Sequence, residues 1–233
     1  MNSKFSFLSL LLLVLFSTQI SYANSPTEAL ARKAVSENAA EASPAIEELR
    51  ALGPAGLKAL MDQYRDEINR HVTNPSLASD EQWQRIATAL DTVAQQKNSY
   101  IAGLYWHTDL EEAKKVSTAT NKPILSLRLL GKLTDEFSCA NSRFFRTVLY
   151  SNMEVSAYLR KNYVLHWQSV RPVPKVTIDY GDGRKLERTL TGNSIHYVLD
   201  SQGRPVDAIP GLYGPGAFRR ALGSAVLIVK GLA

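Results

Sequence analysis

The sequence predicts an α/β protein, a central mixed sheet flanked by helices, preceded by a small all-α N-terminal region, on three observations. Apolar residues recur at helical spacing through residues 24–98. From about residue 108 onward, capped amphipathic helices alternate with short apolar runs of strand length. Charge divides between the same two parts, with 8 Lys/Arg against 11 Asp/Glu over residues 24–98 and 18 against 11 over residues 99–233. The 233-residue chain is 45% hydrophobic with a net charge of +5, a globular balance that excludes a disordered chain, a collagen and a coiled-coil rod. Its single cysteine, Cys139, excludes an internal disulfide.

Residues 1–23 read as a secretory signal peptide. Lys4 precedes an apolar run from Phe5 to Phe16, and Ser21-Tyr22-Ala23 supplies small residues at the two positions a signal peptidase inspects. That run is too short to cross ~30 Å of hydrocarbon, which needs about 20 residues. No cysteine stands near the cleavage site for a lipid anchor. The mature protein is therefore expected to be exported, periplasmic or secreted, with no stable membrane span after cleavage.

Over residues 24–98, Ser25-Pro26-Thr27-Glu28 combines an N-cap serine, a first-turn proline and a capping-box glutamate. Ser43-Pro44 predicts a second helix start, with Ile46, Leu49 and Leu52 on one face and Gly53-Pro54 as its stop. Leu57, Leu60, Met61 and Tyr64 mark a third helix. Ser79-Asp80-Glu81-Gln82 caps a fourth that buries Trp83, Ile86, Leu90 and Val93. A small helical packing domain is the simplest reading of this part.

Over residues 99–233, Thr108-Asp109-Leu110-Glu111 opens a helix to about Thr120, and Pro123 to Leu130 follows as a buried strand. A helix begins at Asn141 or Ser142 and carries Phe144, Phe145, Val148 and Leu149. A second helical stretch spans Glu154 to Lys161, and Tyr163 to Val170 is the next strand. Gly181-Asp182-Gly183 and Asp200 to Arg204 are turns of two hairpins, and Pro215 to Val229 closes the chain as a helix.

In this part the sequence resembles the thioredoxin-like superfamily, over roughly residues 104–220. Leu110-Glu111-Glu112-Ala113 to Asn121-Lys122-Pro123-Ile124-Leu125 is similar to that family's lead-in to its first core strand. Cys139-Ala140-Asn141-Ser142 stands where a redox CxxC motif would be, and Glu154-Val155 to Asn162-Tyr163-Val164 is similar to the passage into the next strand. Ser194 to Gly203, followed by Pro210-Gly211, resembles the terminal hairpin. Three departures accompany the resemblance. Ser142 replaces a resolving cysteine, Asn193-Ser194-Ile195 lacks the cis-proline that faces the family's active cysteine, and a hairpin follows Val170 where many members have a helix.

A cysteine just before a helix N-terminus is biased toward the thiolate by orphan N–H groups and the helix dipole. Candidate site residues are thus Cys139 as nucleophile, Ser142 as hydrogen-bond donor to the thiolate and Arg143 as electrostatic helper, with Arg146 a further source of positive potential. One thiol can form a mixed disulfide with a protein client or a small thiol such as glutathione, but a second molecule must release it. The opposite reading keeps Cys139 as a small buried filler, since free cysteines are among the most buried residues, and makes the domain a redox-inactive partner-binding module.

Other constellations are weaker. The basic residues are dispersed among strands, without the clustering of a nucleic-acid site. His107, His166, His196 and Cys139 lack any short-range metal-ligand pair. Ser142 or Ser194 with His196 and Asp200 lacks a nucleophile elbow, and Gly211 to Gly216 reads as a turn into the last helix. No cofactor or metal is implied.

Overall fold

The computed structural model describes residues 25–74, 80–190 and 192–231. The signal-peptide reading of residues 1–23 lies outside the described residues. No helix among them is long and apolar enough to cross a membrane.

The N-terminal part contains helices α1 (Pro26–Lys33), α2 (Ala39–Ala51), α3 (Pro54–Gln63), α4 (Arg65–Thr73) and α5 (Glu81–Ala94), with a single turn, α6 (Ser99–Ala102). The Ser25–Glu28 capping box forms in both directions. The second helix starts earlier than Ser43-Pro44 predicts. Asn38 caps it through the Ala40 N–H, and Pro44 lies inside. The proline ring demands only a helical φ, and its missing N–H removes one bond of an otherwise complete ladder. Leu52 is 48% exposed rather than core-facing, because the chain leaves α2 there. Gly53-Pro54 not only stops α2 but opens α3, with Gly53 at φ +66° and Pro54 in the first turn. Helices α4 and α6 have too few apolar positions to be read from periodicity. Asp80 caps α5, whose Trp83, Ile86, Leu90 and Val93 join Leu49, Leu57 and Leu60 in one buried cluster.

The second part contains α7 (Leu110–Thr120), β1 (Ile124–Leu130), α8 (Ala140–Phe144), a π-helical turn (Phe145–Leu149), α9 (Met153–Asn162), β2 (Val164–Arg171), β3 (Lys175–Asp179), β4 (Lys185–Thr189), β5 (Ile195–Leu199), β6 (Pro205–Pro210) and α10 (Pro215–Gly231). Asp109, not Thr108, caps α7 by accepting the Glu112 N–H. A carboxylate is the stronger acceptor and favours the positive end of the helix dipole.

Four strands form a mixed sheet in the order β2-β1-β5-β6, with β1 parallel to β2 and antiparallel to β5, and β5 antiparallel to β6. Alternation along β1 sends Leu125, Leu127 and Leu129 into a core shared with Phe145, Leu149, Tyr150, Leu159, Phe218 and Leu222. Ile124, on the other face, packs with Ala113, Val164 and Leu199 beneath α7. With both faces covered, β1 reads as a continuous apolar run. In the π-helical turn the Tyr150 N–H reaches the Phe145 carbonyl at 2.7 Å. The extra residue in that turn lets Phe145, Leu149 and Tyr150 all face the core. Strands β3 and β4 make a separate, exposed hairpin with Gly181 and Gly183 at positive φ.

The two parts are joined by hydrogen bonds that no local pattern encodes. The Arg50 guanidinium donates to the Val93 carbonyl at 2.8 Å and the Trp106 carbonyl at 2.6 Å while lying 4.2 Å from the Tyr105 ring centre. The Trp106 and Trp167 indole N–H groups donate to the Gln96 side chain and the Gln95 carbonyl, each at 2.8 Å.

Candidate functional site

Strand β1 ends at Leu130, and the loop 131–138 returns the chain to Cys139, the N-cap residue of α8. The sulfur has no solvent-exposed surface. Its Sγ is 3.3 Å from Ser142 Oγ, one helical turn ahead, and 3.8 Å from Ser194 Oγ at the start of β5. The antiparallel pairing of β1 with β5, Arg128 opposite Ile195, brings Ser194 to the sulfur across 55 residues. Ser194 follows Asn193 through a trans peptide, and no cis peptide occurs among the described residues.

Burial pushes the Cys139 thiol up, but the Ser142 hydroxyl and N–H, the Ser194 hydroxyl and the Leu130 backbone stabilise the thiolate. Together they leave it below its ordinary value. Hydrogen bonding to the charged form thus outweighs desolvation.

Neither arginine hydrogen-bonds the sulfur. Arg143 is half-buried, and its guanidinium makes no hydrogen bond or ion pair to the cysteine. Arg146 is buried and turns to the loop, donating to the Asp135 carbonyl at 3.2 Å, the Glu136 carbonyl at 3.3 Å and Ser138 Oγ at 3.4 Å. Burial lowers its pKa, with Glu136 and Asp91 opposing. Arg146 therefore holds the loop that leads into Cys139. Two further bonds fix the same region. Asn141 Nδ2 donates to the Gly192 carbonyl at 2.6 Å, and Thr189 Oγ1 donates to the Ser138 carbonyl at 2.8 Å. Sequence alone gives no signal for either, because each spans 51 residues.

Ser194 and Asn141 also line a cavity of about 470 Å³, with Arg128, Tyr197 and Gly211 on its other walls.

The histidines do not gather at the cysteine; His107 and His166 stand side by side in a parallel bridge, apart from His196. His196 is fully buried, with Nε2 at 2.7 Å from the Tyr150 hydroxyl, and desolvation depresses its pKa to about 3. His166 Nδ1 lies 2.8 Å from Ser126 Oγ, and burial, with Arg128 and His107 adding, lowers its pKa to about 4. Asp200 is engaged by the Arg204 side chain and by the N–H groups of its own turn. The Ser–His–Asp combination is therefore not assembled. Among the described residues, no group of three or more His, Cys, Asp or Glu stands where it could hold a metal ion.

Compared with known proteins, the chain matches no family model and no curated protein sequence.

Proposed function

We propose that residues 99–233 form a thioredoxin-like domain of an exported protein, and that Cys139 takes part in one-thiol disulfide exchange. The observation that carries this reading is the sulfur of Cys139 held between two serine hydroxyls, with the balance of interactions favouring its thiolate. The mixed sheet flanked by helices, and the C-A-N-S motif opening α8 with Cys139 as its N-cap, support the same reading. Ser194 lies beside the sulfur, but the resemblance would put a cis-proline in this segment, and its absence weighs toward a redox-inactive domain. In the exchange the Cys139 thiolate attacks a disulfide of a protein client or of glutathione. A new sulfur–sulfur bond forms to one half, and the other half departs as thiolate. With no second cysteine in the chain, release requires attack by an external thiol. Ser142 would stabilise the sulfur's charge. Arg143 would act only through longer-range potential, since it does not contact the sulfur.

The absence of exposed surface at Cys139 favours a second reading, a partner-binding domain in which the thiol is only packing. Isolation without reductant from the compartment where the protein resides, followed by mass spectrometry, separates the two. A mixed disulfide on Cys139, with alkylation of the folded protein titrating below the ~8.5 of a free thiol, supports exchange. An unmodified Cys139 that resists alkylation until the protein is unfolded rejects it.

A further inference from the structure

Between the helical part and the α/β part lies a cleft of about 850 Å³, remote from Cys139 and walled by α3, α7, α9 and the start of β2. Its size falls in the roughly 300–1,000 Å³ range of small-molecule sites, which favour junctions between structural units. The floor is apolar, with Leu57 and Met61 from α3, Val116 from α7 and Leu165 from β2. Ile101, 46% exposed, and Met153, 83% exposed, stand along the same walls. Large apolar side chains left in contact with water beside a cleft mark a surface that gains by being covered.

The charges around this floor are unequal. Lys58 pairs with Asp62 on α3 and so cancels the one carboxylate that lines the cleft. Lys122 and Arg160 have no carboxylate partner among the described residues. Lys122 Nζ donates to the Arg160 carbonyl at 3.2 Å, and Arg160 donates to the Ala102 carbonyl. An ammonium carries three N–H donors and a guanidinium five, so both cations retain donors for an anion. Burial works against the charge of Arg160, a cost that a bound carboxylate would relieve. His107 also lines the cleft and is buried, with Nδ1 lacking any partner. Burial, with Arg50 adding, lowers its pKa, so the ring adds a neutral polar group to the wall.

We propose that this cleft binds a small amphipathic monoanion, an apolar chain bearing a carboxylate head. The chain lies against Leu57, Met61, Val116 and Leu165, and the head meets Lys122 and Arg160. The charge complementarity selects an anion over a neutral lipid, and the apolar floor selects an aliphatic chain over a free inorganic ion.

Calorimetric titration of the purified protein with decanoate, and with decanol as its uncharged analogue, tests the proposal. Saturable 1:1 binding of decanoate, at least tenfold tighter than decanol, is expected. Lys122→Gln and Arg160→Gln should each bring the two ligands closer in affinity, whereas Met61→Trp, which fills the floor, should weaken both. Circular dichroism checks that each variant is folded. Lys122→Gln, whose Nζ is tied only to a surface carbonyl, keeps the test valid if Arg160→Gln unfolds. No saturable decanoate binding, equal affinity for decanoate and decanol, or an unchanged preference in folded Lys122→Gln overturns the proposal.

Discussion

Ser142 has a single hydroxyl proton and two acceptors at Cys139, the carbonyl oxygen at 2.9 Å and the sulfur at 3.3 Å. With a neutral thiol the hydroxyl donates to the carbonyl and receives the S–H. With a thiolate it turns to the sulfur, because a charged acceptor makes the stronger bond. A hydrogen bond to a charged group contributes about 1.5–3 kcal/mol. Ser142→Ala is therefore expected to raise the Cys139 pKa, read from the pH dependence of thiolate absorbance. Ser194→Ala should raise it less, since 3.8 Å is near the limit for a bond to sulfur. An unchanged titration in both variants would show that the hydroxyls do not set the thiol's charge. The Cys139–Ser142 spacing is readable in the sequence, because three residues make one helical turn. The roles of Ser194 and Arg146 are not, because the first needs the β1–β5 register and the second the path of a loop. The expectation for Arg143 rested on proximity in sequence, and its guanidinium makes no hydrogen bond to the sulfur.

Helices α2 and α3 meet at a closer distance than any side chain allows. A Cβ on Gly56 would lie 1.9 Å from the Leu49 carbonyl oxygen and 3.0 Å from the Leu49 Cα. The obstruction is backbone, so no rotamer can relieve it, and the helices would have to separate. Gly56→Ala should destabilise the protein by about 1–3 kcal/mol despite alanine's better helix propensity. A lower urea midpoint at unchanged denaturant dependence would show this; a midpoint equal to or above wild type would mean the helices separate freely. At this scale most elements were legible. Capping residues, turn glycines and apolar periodicity mark α1, α3, α5, α7, β1, α9 and both hairpins. Pro44 misdirected the start of α2, because Asn38 caps the helix more than a turn earlier and the burial of Ala45 and Leu49 keeps it helical despite the proline's lost hydrogen bond. The π-helical turn was not legible, because its i→i+5 bond follows from packing Tyr150 inward and not from residue type.

The whole molecule holds its histidines neutral. His196 and His166 are depressed by burial to about 3 and about 4, against an ordinary value near 6.5 in an unfolded chain. Between those values the unfolded state binds more protons than the folded one, so stability falls as pH drops from about 6.5, and it is unaffected by these groups above that pH. Each histidine contributes a slope of about 1.4 kcal/mol per pH unit within its window. Urea midpoints should therefore decline steadily from pH 6.5 to pH 4. His196→Gln, which keeps a hydrogen-bonding group for Tyr150, should remove about one proton's share of that slope. A flat profile would show that His196 and His166 are not held neutral inside the fold.

The sequence by itself determined most of the segments that become helices and strands, that the chain has a helical and an α/β part of opposite charge, and that any disulfide chemistry is limited to one thiol. These follow from local causes: capping, periodicity, turn residues and a count of cysteines. Only the tertiary structure decided that the thiol is enclosed, that the Ser194 hydroxyl stands beside it, and that Arg146 ties down the loop leading into it. It alone opened an apolar, cation-rimmed cleft where the two parts meet. Contacts of these kinds join residues tens of positions apart, and their geometry is set by sheet register and helix packing, which composition and spacing along the chain do not contain.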